Sequence, residues 1–97
     1  MSFKNEVLNS VFDKTAGRCH LCRKSLAFSK YGKHGTRGAW HIEHSHPKAL
    51  GGTDHLNNLF PACISCNLEK GTESTRTIRR KHGLRRAPYS KTEMEQY

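Results

Sequence analysis

The chain has no apolar run near the ~20 residues that a membrane-spanning helix needs. Its first residues, Met1-Ser2-Phe3-Lys4-Asn5-Glu6, lack the apolar core of a secretory leader. The expectation is a cytoplasmic protein with no membrane partner. Acidic residues are scarce: 8 Asp plus Glu stand against 17 Lys plus Arg, a formal charge of +9. Such a chain is drawn to polyanions, because its cations replace the counterions that screen phosphates. Hydrophobic residues are few as well, 34% of 97. That excludes more than one domain and leaves a core too small to be comfortable without a staple. Cysteine is limited to four residues, and in a reducing cytosol paired cysteines more often hold a metal than form disulfides.

Regular structure is sparse. Phe3, Val7, Leu8, Val11 and Phe12 recur at mostly three- and four-residue steps, which predicts one helix over about 3–14 with a single core-facing stripe. Gly17 ends it. Residues 29–38 are Gly-rich and basic and read as a loop. Residues 40–44 suit a short strand, 45–56 a long loop broken by Pro47, Gly51 and Gly52, and Leu59-Phe60 a second strand. A helix is expected from about Cys63 to Lys70, stopped by Gly71. Ser74 to His82 reads as a basic helix capped by Ser74 or Thr75.

Cys19-His20-Leu21-Cys22 and Cys63-Ile64-Ser65-Cys66 are two C-x-x-C knuckles. Two intervening residues let both sulfurs of a knuckle face one tetrahedral ion, and two knuckles complete its shell. With no position left for a reactive water, Cys19, Cys22, Cys63 and Cys66 predict a structural Zn²⁺. A thioredoxin-like redox motif would need a βαβ context that the sequence does not offer. Residues 23–62, between the knuckles, are too many for a minimal zinc ribbon, so the insert must house something further.

That insert reads Trp40-His41-Ile42-Glu43-His44-Ser45-His46-Pro47, then Gly51-Gly52-Thr53-Asp54, then Asn57-Asn58-Leu59, and leads into Cys66-Asn67-Leu68-Glu69-Lys70-Gly71. In this order and spacing the chain resembles the HNH endonuclease family, in its subgroup with two zinc knuckles, over roughly residues 5–72. The resemblance implies an α+β fold: a small ββα-metal (His-Me finger) unit with flanking helices. It implies a nuclease domain over 1–72, with a basic helix and tail over 73–97 in the same unit. By position, His44 matches the general base and Asn58 the residue that holds the loop and orients it. Glu43 and Asn67 match the ligands of a catalytic divalent ion. The commoner acid beside the histidine is Asp; Glu43 adds a methylene, which shifts the carboxylate by roughly a bond length.

Phosphodiester hydrolysis asks for these residue types independently. A metal stabilises the developing negative charge, and an imidazole with an ordinary pKa of about 6.5 accepts a proton from water near neutral pH. Two oxygen donors, Glu43 and Asn67, make a sparse site suited to Mg²⁺ or Mn²⁺. In an alternating strand His41 shares a face with Glu43, which makes it a further candidate ligand, although a surface histidine is the plainer reading. His46 and His55 fall in the loop, and Trp40 reads as a core anchor. From Lys70 to Lys91 there are eight Lys or Arg and one acid, Glu73. Lys70, Arg76, Arg79, Arg80, Lys81, Arg85 and Arg86 are therefore expected to grip a nucleic-acid backbone without reading its sequence. The expected function is metal-dependent endonucleolytic hydrolysis of DNA, with RNA not excluded; a homodimer or larger complex would supply any specificity. The alternative is a catalytically silent, zinc-stabilised nucleic-acid-binding module.

Overall fold

A computed structural model describes residues 3–71 and 73–82. Its elements are α1 (Asn5–Lys14), β1 (Trp40–His44), β2 (Leu59–Cys63), α2 (Ile64–Lys70) and α3 (Thr75–Lys81), with short 3₁₀ turns at Phe28–Lys30, Lys48–Leu50 and Leu56–Asn58. The chain is a small α+β fold built around one antiparallel hairpin. β1 and β2 pair from Trp40↔Cys63 to His44↔Leu59. Every residue of β2 is buried. Pro61 fits there because its carbonyl accepts from the His20 N–H at 2.9 Å, on the side away from β1. In an antiparallel strand a residue's N and O point the same way, so its missing N–H costs no ladder bond.

The apolar stripe of α1 turns inward as its spacing predicts. Leu8 and Val11 join the buried cluster with Leu21, Trp40, Ile42, Leu59 and Ile78, while Phe3, Val7 and Phe12 pack against its margin. Phe12, Phe28 and Tyr31 surround the Trp40 ring, and the Trp40 indole donates to the Phe28 carbonyl at 3.3 Å. Gly17, at φ 74°, follows α1 where a Cβ would lie 2.8 Å from the Phe12 ring. Only glycine combines that backbone with that approach.

Ser74 begins α3 by accepting the Thr77 N–H on its hydroxyl at 3.2 Å. The helix is fixed by Ile78 in the core and by Thr75, whose hydroxyl lies 2.9 Å from that of Ser45. The segment 45–56 is more ordered than an open loop, since one 3₁₀ turn forms at Lys48–Leu50 and a second begins at Leu56. Such turns have no 3.6-residue period and leave no hydrophobic rhythm to read. The tail after Gly83 that the sequence assigns to DNA binding, with Arg85 and Arg86, lies outside the described residues.

Candidate functional site

The hairpin brings the two knuckles together. Cys63 ends β2 and leads into α2, which carries Cys66; the loop with Cys19 and Cys22 is tied to β2 through the His20–Pro61 bond. The four Sγ atoms all lie within 4.8 Å of one another, and three of the four residues are buried. Such a cluster has a strong electrostatic reason to take up a cation. Hydrogen bonding from Cys19 pulls the Cys22 thiol down to about 7, and hydrogen bonds from Cys19 and Cys22 hold Cys63 far below an ordinary thiol. Cys19 and Cys66 are pushed upward by hydrogen bonds with the other cysteines, which hold their protons in place, and by burial. The quartet gives up those protons together when an ion takes their place. The four cysteines are thus positioned to bind a metal. His82, just past α3, lies 2.9 Å from Glu69 Oε1 and 3.7 Å from Cys66 Sγ, and so joins α3 to the cluster.

On β1, Glu43 and His44 point to different surroundings, as neighbours on a strand must. His44 is one-fifth exposed, and its Nε2 lies 2.7 Å from Asp54 Oδ1. Asp54 Oδ2 in turn meets Lys48 Nζ at 2.9 Å. The hydrogen bond with His44, and then the one with Lys48, hold the Asp54 carboxyl below its usual range. An ionised Asp54 accepts the Nε2 hydrogen, which leaves the Nδ1 lone pair of His44 to receive a proton. In the sequence Asp54 is marked only by its place after Gly51-Gly52. Its position depends on a tight loop closure: the Gly52 N–H donates to the Pro47 carbonyl at 2.9 Å, and a Cβ on Gly52 would overlap the His46 carbonyl.

Asn58 ties the same loop. Its Oδ1 accepts the His46 N–H at 2.7 Å, and its Nδ2 donates to the His46 carbonyl at 3.1 Å and the Thr53 carbonyl at 2.8 Å. Its backbone carbonyl accepts the Ser45 N–H at 2.9 Å. These bonds set the segment immediately after His44. His46 Nε2 bonds the Leu50 carbonyl at 3.0 Å, and His55 is exposed.

Glu43 occupies a different environment from the one the sequence suggests. It is 4% exposed, with Lys70 Nζ 2.7 Å from Oε1 and His20 Nε2 3.0 Å from Oε2. Lys70 is 1% exposed and also donates to the His44 carbonyl at 3.2 Å. His20 is fully buried and stacks on Phe60 at 4.9 Å. Lys70 therefore leaves the set expected to grip phosphates, because its ammonium is engaged inside the fold. Asn67 is half-buried one turn earlier on the same face of α2. As arranged, Glu43 does not fit a hydrated divalent ion: the carboxylate is buried, with the Lys70 ammonium 2.7 Å from Oε1 and the His20 ring facing Oε2. The carboxylate links β1, α2 and the first knuckle.

Removing one partner leaves the other charge buried without compensation. Lys70→Met or Glu43→Gln is expected to lower unfolding free energy by about 3–5 kcal/mol. The double replacement Glu43→Leu/Lys70→Met should cost less than either single change. Denaturant unfolding of the three variants checks this; a loss below about 1 kcal/mol in both singles would place the pair at the level of a surface bridge.

The remaining cations are only partly described. Arg76 and Arg79 fall on α3, but their side chains are outside what is described. Arg80 is exposed, and Lys81 is exposed with Glu73 3.4 Å away. His41, the further candidate ligand, contacts His34 and Tyr31; burial and then the neighbouring His34 lower its pKa.

Comparison with known proteins gives one family. A model described as HNH endonuclease matches residues 19–73, which span both knuckles, the hairpin and α2. No curated protein and no solved structure matches the chain. The family match covers more than half of the sequence and contains every element built above around His44, so the chain belongs to the HNH endonuclease family.

Proposed function

We propose that this protein is an endonuclease that hydrolyses phosphodiester bonds of DNA, with His44 as general base and a structural zinc on Cys19, Cys22, Cys63 and Cys66. The observation that carries the catalytic half is the His44–Asp54 pair at 2.7 Å inside the matched segment. It supports a His44 that donates its Nε2 hydrogen to Asp54 and turns Nδ1 toward the proton of an attacking water. Lys48 meets the other oxygen of Asp54, and Asn58 holds the loop that carries both. The fold extends beyond the matched residues through α1 and α3, so 1–72 is read as the nuclease domain and 73–97 as part of the same unit. The cations of α3 and the tail hold the nucleic-acid backbone.

Four thiolates fit zinc, which takes sulfur ligands in closed tetrahedral sites. The family also implies a catalytic divalent ion, whose chemistry is to stabilise charge on the phosphate. Glu43 and Asn67 remain the ligands to test for Mg²⁺ or Mn²⁺, with Lys70 as the cation that must first release Glu43. The closed Lys70–Glu43–His20 group favours a second reading, a catalytically silent nucleic-acid-binding module.

One experiment separates the two. Supercoiled plasmid is incubated with the protein in Mg²⁺ or Mn²⁺, with and without brief chelator treatment mild enough to leave the cysteine-bound ion. The nuclease reading expects nicked or linear product that disappears with chelator and returns when Mg²⁺ or Mn²⁺ is restored. Binding without cleavage in either metal would establish the silent module.

A further inference from the structure

The loop 29–38 does not simply hang from the hairpin. The Gly32 N–H donates to the Trp40 carbonyl at 2.8 Å, and Tyr31 forms a bridge with Trp40. This lays the loop back along the start of β1 and brings His34 over His41. Their Nε2 atoms are 3.3 Å apart, and the rings stand nearly perpendicular, at 82° with centroids 4.9 Å apart. The Tyr31 ring packs against His41 at 5.5 Å and restrains its orientation. Gly32, at φ 72°, makes the left-handed turn beside His41 that a side chain would strain.

We propose that His34 and His41 form a second metal site, separate from the four cysteines, for a nitrogen-seeking divalent ion such as Zn²⁺. Zinc–imidazole bonds of about 2.0–2.1 Å place two nitrogens on neighbouring tetrahedral corners about 3.3–3.4 Å apart. The His34–His41 separation already has that value, so ligation requires the rings to turn and not to travel. Without an ion, one Nε2 hydrogen lies between the two nitrogens; with one, both lone pairs converge on it. A donor set of imidazoles and no carboxylate selects zinc-like ions over Mg²⁺. Lys30, Lys33 and Arg37 on the same loop raise the electrostatic cost, which makes this the weaker of the two sites. The remaining coordination positions fall to water or an anion. The bound ion would pin loop 29–38 to β1, whether or not the chain cuts DNA.

The test starts from protein carrying one ion per chain in the cysteine site. Zn²⁺ is added and followed by calorimetry and by the imidazole nitrogen resonances. One further ion per chain is expected, with Nε2 of His34 and His41 shifting together. His34→Ala and His41→Ala should each weaken it by at least about tenfold, the scale on which even outer-shell partners act. The double variant should add little, because each residue acts only with the other. His55→Ala serves as control and should bind as the parent does. Absence of a second ion, or unchanged affinity in His34→Ala, overturns the proposal.

Discussion

A Cys63→Ser chain is expected to lose its fold, not merely its activity. Cys63 stands at the junction of three parts. It ends β2, pairs in register with Trp40 of β1, and precedes the first turn of α2. Its sulfur lies 3.9 Å from that of Cys22, so it closes the link between the two knuckles. Around that link the apolar cluster is small and draws on every element, from Leu8 of α1 to Ile78 of α3. Structural zinc in small domains contributes on the order of 10–16 kcal/mol of apparent binding energy. A whole domain is typically stable by about 5–15 kcal/mol. Losing even part of the first therefore exhausts the second. The Cys63→Ser protein and the zinc-stripped parent should both show collapsed amide dispersion and no cooperative melting, and the parent should contain about one zinc per chain. A dispersed spectrum with normal melting in either would remove the staple from the account.

How far the sequence reached is instructive by element. α1 was legible because five apolar residues at helical spacing admit one buried face. The knuckles were legible because C-x-x-C spacing is a local constraint, and the structure brings all four sulfurs together. β1 follows its expected bounds, 40–44, since Gly38 and Pro47 bracket it. What the sequence could not supply is which distant residue meets which. Alternation puts His41 and Glu43 on one face but does not say that Lys70 and His20 arrive there and close over Glu43. A lysine in a basic run reads as solvent-facing, and only the reach of its four-carbon stem from α2 sends this one inward. Asp54 stood in the quoted motif without a task, because its meeting with His44 depends on the loop closing at Gly52. His34 was hidden for the same reason, in a loop whose return to β1 rests on backbone bonds that carry no residue signature.

The second large effect concerns His44. Its replacement by Ala removes a side chain that is one-fifth exposed, pairs with Asp54 and lies tilted against Phe3 with ring centroids 6.4 Å apart. Little of the core depends on it. On the proposed reading, the cysteines hold the fold, the Glu43–Lys70 pair joins β1 to α2, and the basic residues hold the nucleic-acid backbone. The proton transfer alone is assigned to His44. Losing a general base commonly costs ~10²–10⁴ in rate. His41→Ala serves as the internal comparison: it lies three residues earlier on the same strand but contacts His34 and Tyr31 instead of Asp54.

The decisive measurement is the plasmid-cleavage rate of the parent, His44→Ala and His41→Ala proteins side by side, with cysteine-site zinc at one per chain and melting and DNA affinity matched. The account predicts that His44→Ala falls by ~10²–10⁴ while His41→Ala stays close to the parent. A His44→Ala protein that cleaves at the parental rate would contradict it.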